Sequence, residues 1–268
     1  LGALATSALA ALGTDRVQSL TNDQIKGLST AAVAALSTAQ AAALTSAQLS
    51  SLNKVQISAL TTAQVAALTT GQAKALSAAS LMALTTSQVK ALGTSQMNVL
   101  TAKQVAALTT TQVAALETSQ VNALSSSGVQ ALNANQVSAL TTAQVAAMTT
   151  TTVQALETAD ITAMSSAQLN SFTTTQVAAL TTSQLKGLAL DDLAKLGATQ
   201  LGALSTTQIG ALSAAQVNAL GTASVAALTT TQVAGLTKGQ ITGLTADNLK
   251  ALTTAQIAKL DTTQLSGL

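Results

Sequence analysis

The chain contains no cysteine, histidine, tyrosine or tryptophan, and its one aromatic side chain is a phenylalanine. Without cysteine there is neither a disulfide framework nor a thiol nucleophile. Without histidine the commonest general base and a leading metal ligand are missing. Serine and threonine are plentiful, but with no partner base they read as helix caps and surface. Glycine is scattered and forms no phosphate-binding fingerprint. The chain is therefore read as no enzyme, with no catalytic, cofactor-binding or metal-binding residues and no cofactor.

Charge is scarce as well. Only 7% of residues are charged, and 11 basic against 9 acidic residues leave a net charge of +2. The sequence pI of about 9.1 reflects those two extra cations on a nearly neutral chain. The basic residues stand singly and no aromatic platform accompanies them, so nucleic acid is excluded as a partner. Mean hydropathy is positive at +0.44. Yet the longest uninterrupted apolar run is the six residues from Ala31 to Leu36, against about 20 needed to span a bilayer. No membrane insertion is expected. At Leu1 the stretch itself shows no initiating methionine, charged n-region or recognisable cleavage site.

What is present is one pattern. From Leu4 an eight-residue unit recurs 33 times without insertion or deletion, and Leu268 opens a further copy. Residues 1–268 thus read as a single uninterrupted octapeptide-repeat array, expected to be a segment of a longer protein because neither end departs from the pattern as terminal repeats normally do. Position one is leucine, replaced only by Met148, Met164 and Phe172. Position six is Val, Ile, Leu or Met except at Ala41 and Ala73. Position eight is Ala, Gly or Ser except at Val99, Lys195 and Lys259. These three positions are the expected buried face.

Position two is Thr, Ser, Asn, Asp or Gly in 29 of 33 octads, and position five is glutamine in 23. A short polar residue with Gln three residues later is a capping box, in which each side chain accepts from the other residue's backbone N–H. In LTTAQVAA, Leu60 to Ala67, Thr61 and Gln64 form the box while Leu60 and Val65 form the hydrophobic staple across it. Charge marks the same helix start: all nine acids sit at positions two, four or five, and seven of the eleven bases at positions seven or eight. The helix dipole favours that placement.

One continuous helix is excluded by geometry. At about 100° per residue, eight residues overshoot two turns by roughly 80°, so the leucines would wind around the rod. The helix must break at every octad. The expected fold is all-α, an α-solenoid of very short capped helices, one per octad. The alternative is a β-solenoid, which suits short repeats and abundant Thr and Val. Against it, leucine and valine lie five residues apart, an odd spacing that sends them to opposite faces of a strand. Ala and Gln are also poor strand formers.

Two constellations invite a chemical reading. Met148, Met164 and Phe172 gather near Glu157 and Asp160, where a ligand pocket competes with simple core packing; packing is the reading taken. The octad LALDDLAK, Leu188 to Lys195, lacks a cap at Ala189 and carries Asp191 and Asp192. Paired carboxylates suggest a metal or acid–base work. No third ligand lies nearby, so they are read as acids that replace the cap electrostatically, with Lys195 at the far end.

The stretch LTTAQVAAL, Leu60 to Leu68, resembles the opening of the helical repeats in transcription-activator-like effectors. It is also similar to the short-helix repeats of the mesothelin superfamily, which are α-solenoids. Both resemblances cover the helix-start motif alone. The effectors' longer repeats and base-reading loops have no counterpart, so DNA recognition is not implied. The whole array looks like the Thr-, Ala- and Gln-rich repeat regions of giant secreted bacterial surface proteins of adhesin type. That resemblance implies an extracellular or cell-surface location and a stalk, fibre or filament role. The expected partners are other copies, end to end or side by side, or other parts of the same giant chain. Two further readings stay open: an α-solenoid protein-binding scaffold, and binding to an ordered surface such as ice through ladders of threonine.

Overall fold

The computed structural model describes residues 6–268. They form 33 helices of four to seven residues and no strand among the described residues, so the fold is an α-solenoid of short helices and the β-solenoid is set aside. The packing divides into two compact units between Ala139 and Leu140, within the unbroken octad register. Both units are built in the same way.

The sequence contains no proline, and each helix is stopped by cap chemistry instead. After the helix Thr62–Ala67, Leu68 (φ −59°, ψ 139°) and Thr69 (φ −71°, ψ 160°) are extended, and Thr70 begins the next helix. Two extended residues per octad turn the chain. At the restart, the Thr61 hydroxyl accepts from the Gln64 N–H at 3.2 Å and Gln64 Oε1 accepts from the Thr61 N–H at 2.6 Å. The expected box therefore forms as drawn. Val65 N–H donates to the Thr61 carbonyl at 3.0 Å, so the first turn leaves few donors for water to satisfy.

One junction breaks the rule. Leu220 keeps helical dihedrals (φ −60°, ψ −28°) and the turn falls on Gly221, whose φ of +76° suits glycine and few other residues.

Within each unit, most helices pack on the one three octads earlier: Thr62–Ala67 on Thr38–Ala43 in the first unit, and Thr182–Gly187 on Thr158–Ala163 in the second. Positions one and six fill the interior. Leu60, Val65 and Leu68 are 3%, 0% and 5% exposed, and Met148, Met164 and Phe172 are buried like the leucines they replace. The packing reading of those three holds. Position eight differs from expectation: Ala67 is only half-buried, and the third fully buried position is five, where Gln64 is 1% exposed.

Position eight is small because it lies against position three of the octad three before. A Cβ on Gly187 would stand 1.8 Å from Cγ2 of Thr158, and one on Gly235 would stand 2.9 Å from the Thr206 side chain. Gly202, also helical, has nothing within 4 Å. Two substitutions of the same kind should therefore have opposite signs. Gly202→Ala should stabilise by about 0.5–1 kcal/mol through helix propensity, whereas Gly187→Ala should cost about 1–3 kcal/mol by overpacking. Chemical denaturation of the two variants checks this; equal effects would mean the position-eight contact carries no constraint.

Candidate functional site

The recurring feature with chemical content is the buried glutamine. Its oxygen is used within its own octad, as described, which leaves the amide N–H groups to be placed. They point at the helix four octads earlier. Gln64 Nε2 donates to the carbonyls of Val33 at 2.9 Å, Ala34 at 3.3 Å and Leu36 at 2.6 Å. Those carbonyls lie at and just past the end of the helix Thr30–Ala34, where intrahelical partners run out; that of Val33 also accepts from the Leu36 N–H at 3.3 Å. One carboxamide thus completes the N-terminus of one helix and the C-terminus of another, 28 to 31 residues away in sequence.

The bond recurs along both units. In the first, Gln112 reaches Leu81 and Leu84 at 2.9 and 2.7 Å, and Gln136 reaches Val105 and Leu108 at 2.9 and 2.7 Å. In the second, Gln176 reaches Val145 and Met148 at 2.8 and 2.7 Å, and Gln240 reaches Ile209 and Leu212 at 2.8 and 2.7 Å. Packing on the third preceding helix and capping of the fourth set one solenoid turn between three and four octads. Only backbone oxygens are recognised, so any octad can be linked to any other.

The capping box alone did not reveal this role, because a box needs only an acceptor at position five. The available signal was the choice of acceptor. Glutamate serves a box as well as glutamine, yet it never occupies position five in the 33 octads. A carboxylate cannot donate.

The two chemical constellations take different places. Asp191 and Asp192 lie in the first turn of the helix Leu190–Ala194, which has no side-chain cap bond. Asp191 is exposed, and Asp192 is half-buried with Oδ1 3.8 Å from Lys195 Nζ. No group of three metal-ligating side chains occurs among the described residues. Glu157 is an N-cap residue, and Asp160 stands at position five, 3% exposed, accepting from the Glu157 N–H at 3.0 Å.

Burial pushes the Asp160 carboxyl above its ordinary value of 3.8; the Glu157 N–H bond opposes the shift and the Glu157 charge adds to it. The folded protein then holds this proton more tightly than the unfolded chain. Stability should accordingly fall as pH rises from about 3.8 through the raised value. Asp160→Asn keeps an acceptor for Glu157 and removes the titration. Unfolding midpoints across this range should show a downward step with pH in the wild type that is absent in the variant. A step of the same size in both would assign it to other carboxylates.

Elsewhere the surface offers little chemistry. The ion pair between Lys90 and Glu117 spans 2.7 Å but both side chains are about half exposed, which limits its worth to a fraction of a kcal/mol. A shallow cleft of about 410 Å³ beside Lys186, Leu190, Ala211 and Ser213 is open to solvent. No helix is long and apolar enough to cross a membrane among the described residues.

Comparison with known proteins agrees with this picture of a repeated structural unit. No curated protein matches the chain. The family model of the ALTTAQ repeat matches residues 25–54, 78–110, 113–150, 153–190 and 187–222. These segments cover more than half of the sequence and carry the cap, the glutamine and the apolar positions, and on that ground the chain belongs to the ALTTAQ repeat family.

Proposed function

We propose that this array is a structural element of a large extracellular bacterial surface protein, the body of a stalk or fibre that acts as a spacer or by self-stacking. The observation that carries the reading is the glutamine link. It joins octad to octad through backbone acceptors alone, so length can be added in units of eight residues without new recognition. Nothing in that design selects a small ligand.

Self-association has its own support. Octads pack on one another through apolar positions one and six and through backbone carbonyls, groups that a second copy can supply equally well. Such a contact is head-to-tail, and an interface of that type propagates into a filament when it does not close into a ring. The sparse charge leaves little repulsion to oppose it.

Electron microscopy of the native cell surface, together with light scattering of the purified chain over a range of concentrations, tests the reading. Rods or fibres outside the cell, and scattering mass that grows with concentration, are expected. An intracellular protein recovered as a monomer with one specific partner would replace this reading with the binding scaffold.

A further inference from the structure

Three tethers hold a typical helix of the second unit: a side-chain cap, its own position-five amide, and an amide received from four octads later. The helix Leu190–Ala194 has none of them; the helix Thr158–Ala163 shares the missing cap bond and the carboxylate at position five, but keeps a bond from the Glu157 N–H to Asp160 at 3.0 Å that has no counterpart at Ala189 and Asp192. Ala189 stands at the cap position and offers no side-chain acceptor. Asp192 replaces the glutamine, and its carboxylate lies beside Lys195 instead of donating to the helix Thr158–Ala163. The octad that would supply the third tether has Ser224 at position five and the irregular Gly221 at position two.

The contrast with the neighbours is direct. The carbonyls of Leu185 and Leu188 both accept from Gln216 at 3.0 Å, and those of Leu201 and Leu204 accept from Gln232 at 2.7 and 2.8 Å. The equivalent carbonyls of Leu193 and Leu196 face no glutamine. In addition, Leu190 is 46% exposed at a position where the other octads carry mostly threonine. Two acids in the first turn favour the helix dipole, but they replace neither the cap bond nor the amide.

We infer that the octad Leu188–Lys195 is a built-in opening point of the second unit: it unfolds locally while the octads on either side stay folded. Opening bares Leu188, Leu193 and Leu196, which are at most 4% exposed when closed. Local opening of this kind draws on weakly tethered segments of a structure. The inference is independent of the proposed structural role.

Limited trypsin digestion of the whole chain, read by mass spectrometry, tests it with internal controls. Lys195 belongs to the untethered octad. Lys186, nine residues earlier, belongs to an octad capped by Thr181 and bonded through Gln184 and Gln216, and Lys238 follows the cap of Thr237 with its Gln240 link. Among Lys186, Lys195 and Lys238, the first to be cut should be Lys195. Hydrogen exchange should show the amides of Leu193 and Leu196 exchanging about tenfold faster than those of Leu185 and Leu188. The double substitution Ala189→Thr and Asp192→Gln, which installs the commonest residue at each position, should remove most of both differences. A first cut after Lys186 or Lys238, uniform exchange across these octads, or an unchanged opening in the double variant would overturn the inference.

Discussion

Replacing Gln64 by glutamate should remove about 3–5 kcal/mol of stability from the first unit at neutral pH, the cost of a buried charge without a partner. The substitution changes little in shape. Its oxygen can still accept from the Thr61 N–H, so the capping box survives. The other oxygen, however, now faces the carbonyls of Val33 and Leu36, which the amide had approached to 2.9 and 2.6 Å. Three oxygens then share a site from which water is excluded, since Gln64 is 1% exposed.

The pH dependence identifies the cause. A carboxyl buried among acceptors titrates above the ordinary glutamate range, so the folded state binds its proton more tightly than the unfolded chain. The loss should be largest above the raised value and should shrink as pH falls through it, because the protonated group can again donate. Gln64→Met, which removes oxygen and amide together, should cost about 1–3 kcal/mol for the abandoned carbonyls with no such dependence. Urea unfolding of both variants near neutrality and in mild acid decides the matter. A glutamate variant no less stable than the methionine one at neutral pH would sink the donor role.

Deletions test the same arrangement at larger scale. Removing Leu108 to Ala115 takes out one complete octad, and the octads that close over the gap carry the same positions. Gln136 would then face the carbonyls of Met97 and Leu100 in place of Val105 and Leu108. The expected cost is that of one repeat, with cooperative unfolding retained. Removing only Thr109 to Gln112 erases one cap and one amide. It also shifts every link that spans the cut, which natively runs over 28 to 31 residues, by four residues. Half an octad moves position five to position one, so glutamines meet leucines across the seam. This smaller deletion should split the first unit into separately melting parts or prevent its folding. Calorimetry of the two deletion variants compares them, and equal losses would mean that the octad is not the structural unit.

Helix type, helix ends and the burial of positions one and six were all legible before the fold. The reason is local: Thr61, Gln64, Leu60 and Val65 lie within six residues of one another, and their cap and staple obey short-range geometry. Asp191 and Asp192 were legible for the same reason, as acids of a first turn. The half-buried state of position eight was not, because it depends on which residue of another turn lies opposite, as Thr158 does for Gly187.

The glutamine amide shows where local reasoning stops. A capping box accounts for the oxygen of Gln64 within its own octad, and nothing nearby in sequence asks for a donor. The partners, Val33 and Leu36, are brought within reach only when the chain has completed a turn. By itself, then, the sequence determined the octad, its caps and the all-helical class, since these follow from contacts across a few residues. Only tertiary structure decided that a turn takes between three and four octads, that position five is core, and that the helix Leu190–Ala194 is left without tethers. Each of those depends on which octads the solenoid brings together, and sequences so alike from octad to octad do not name their partners.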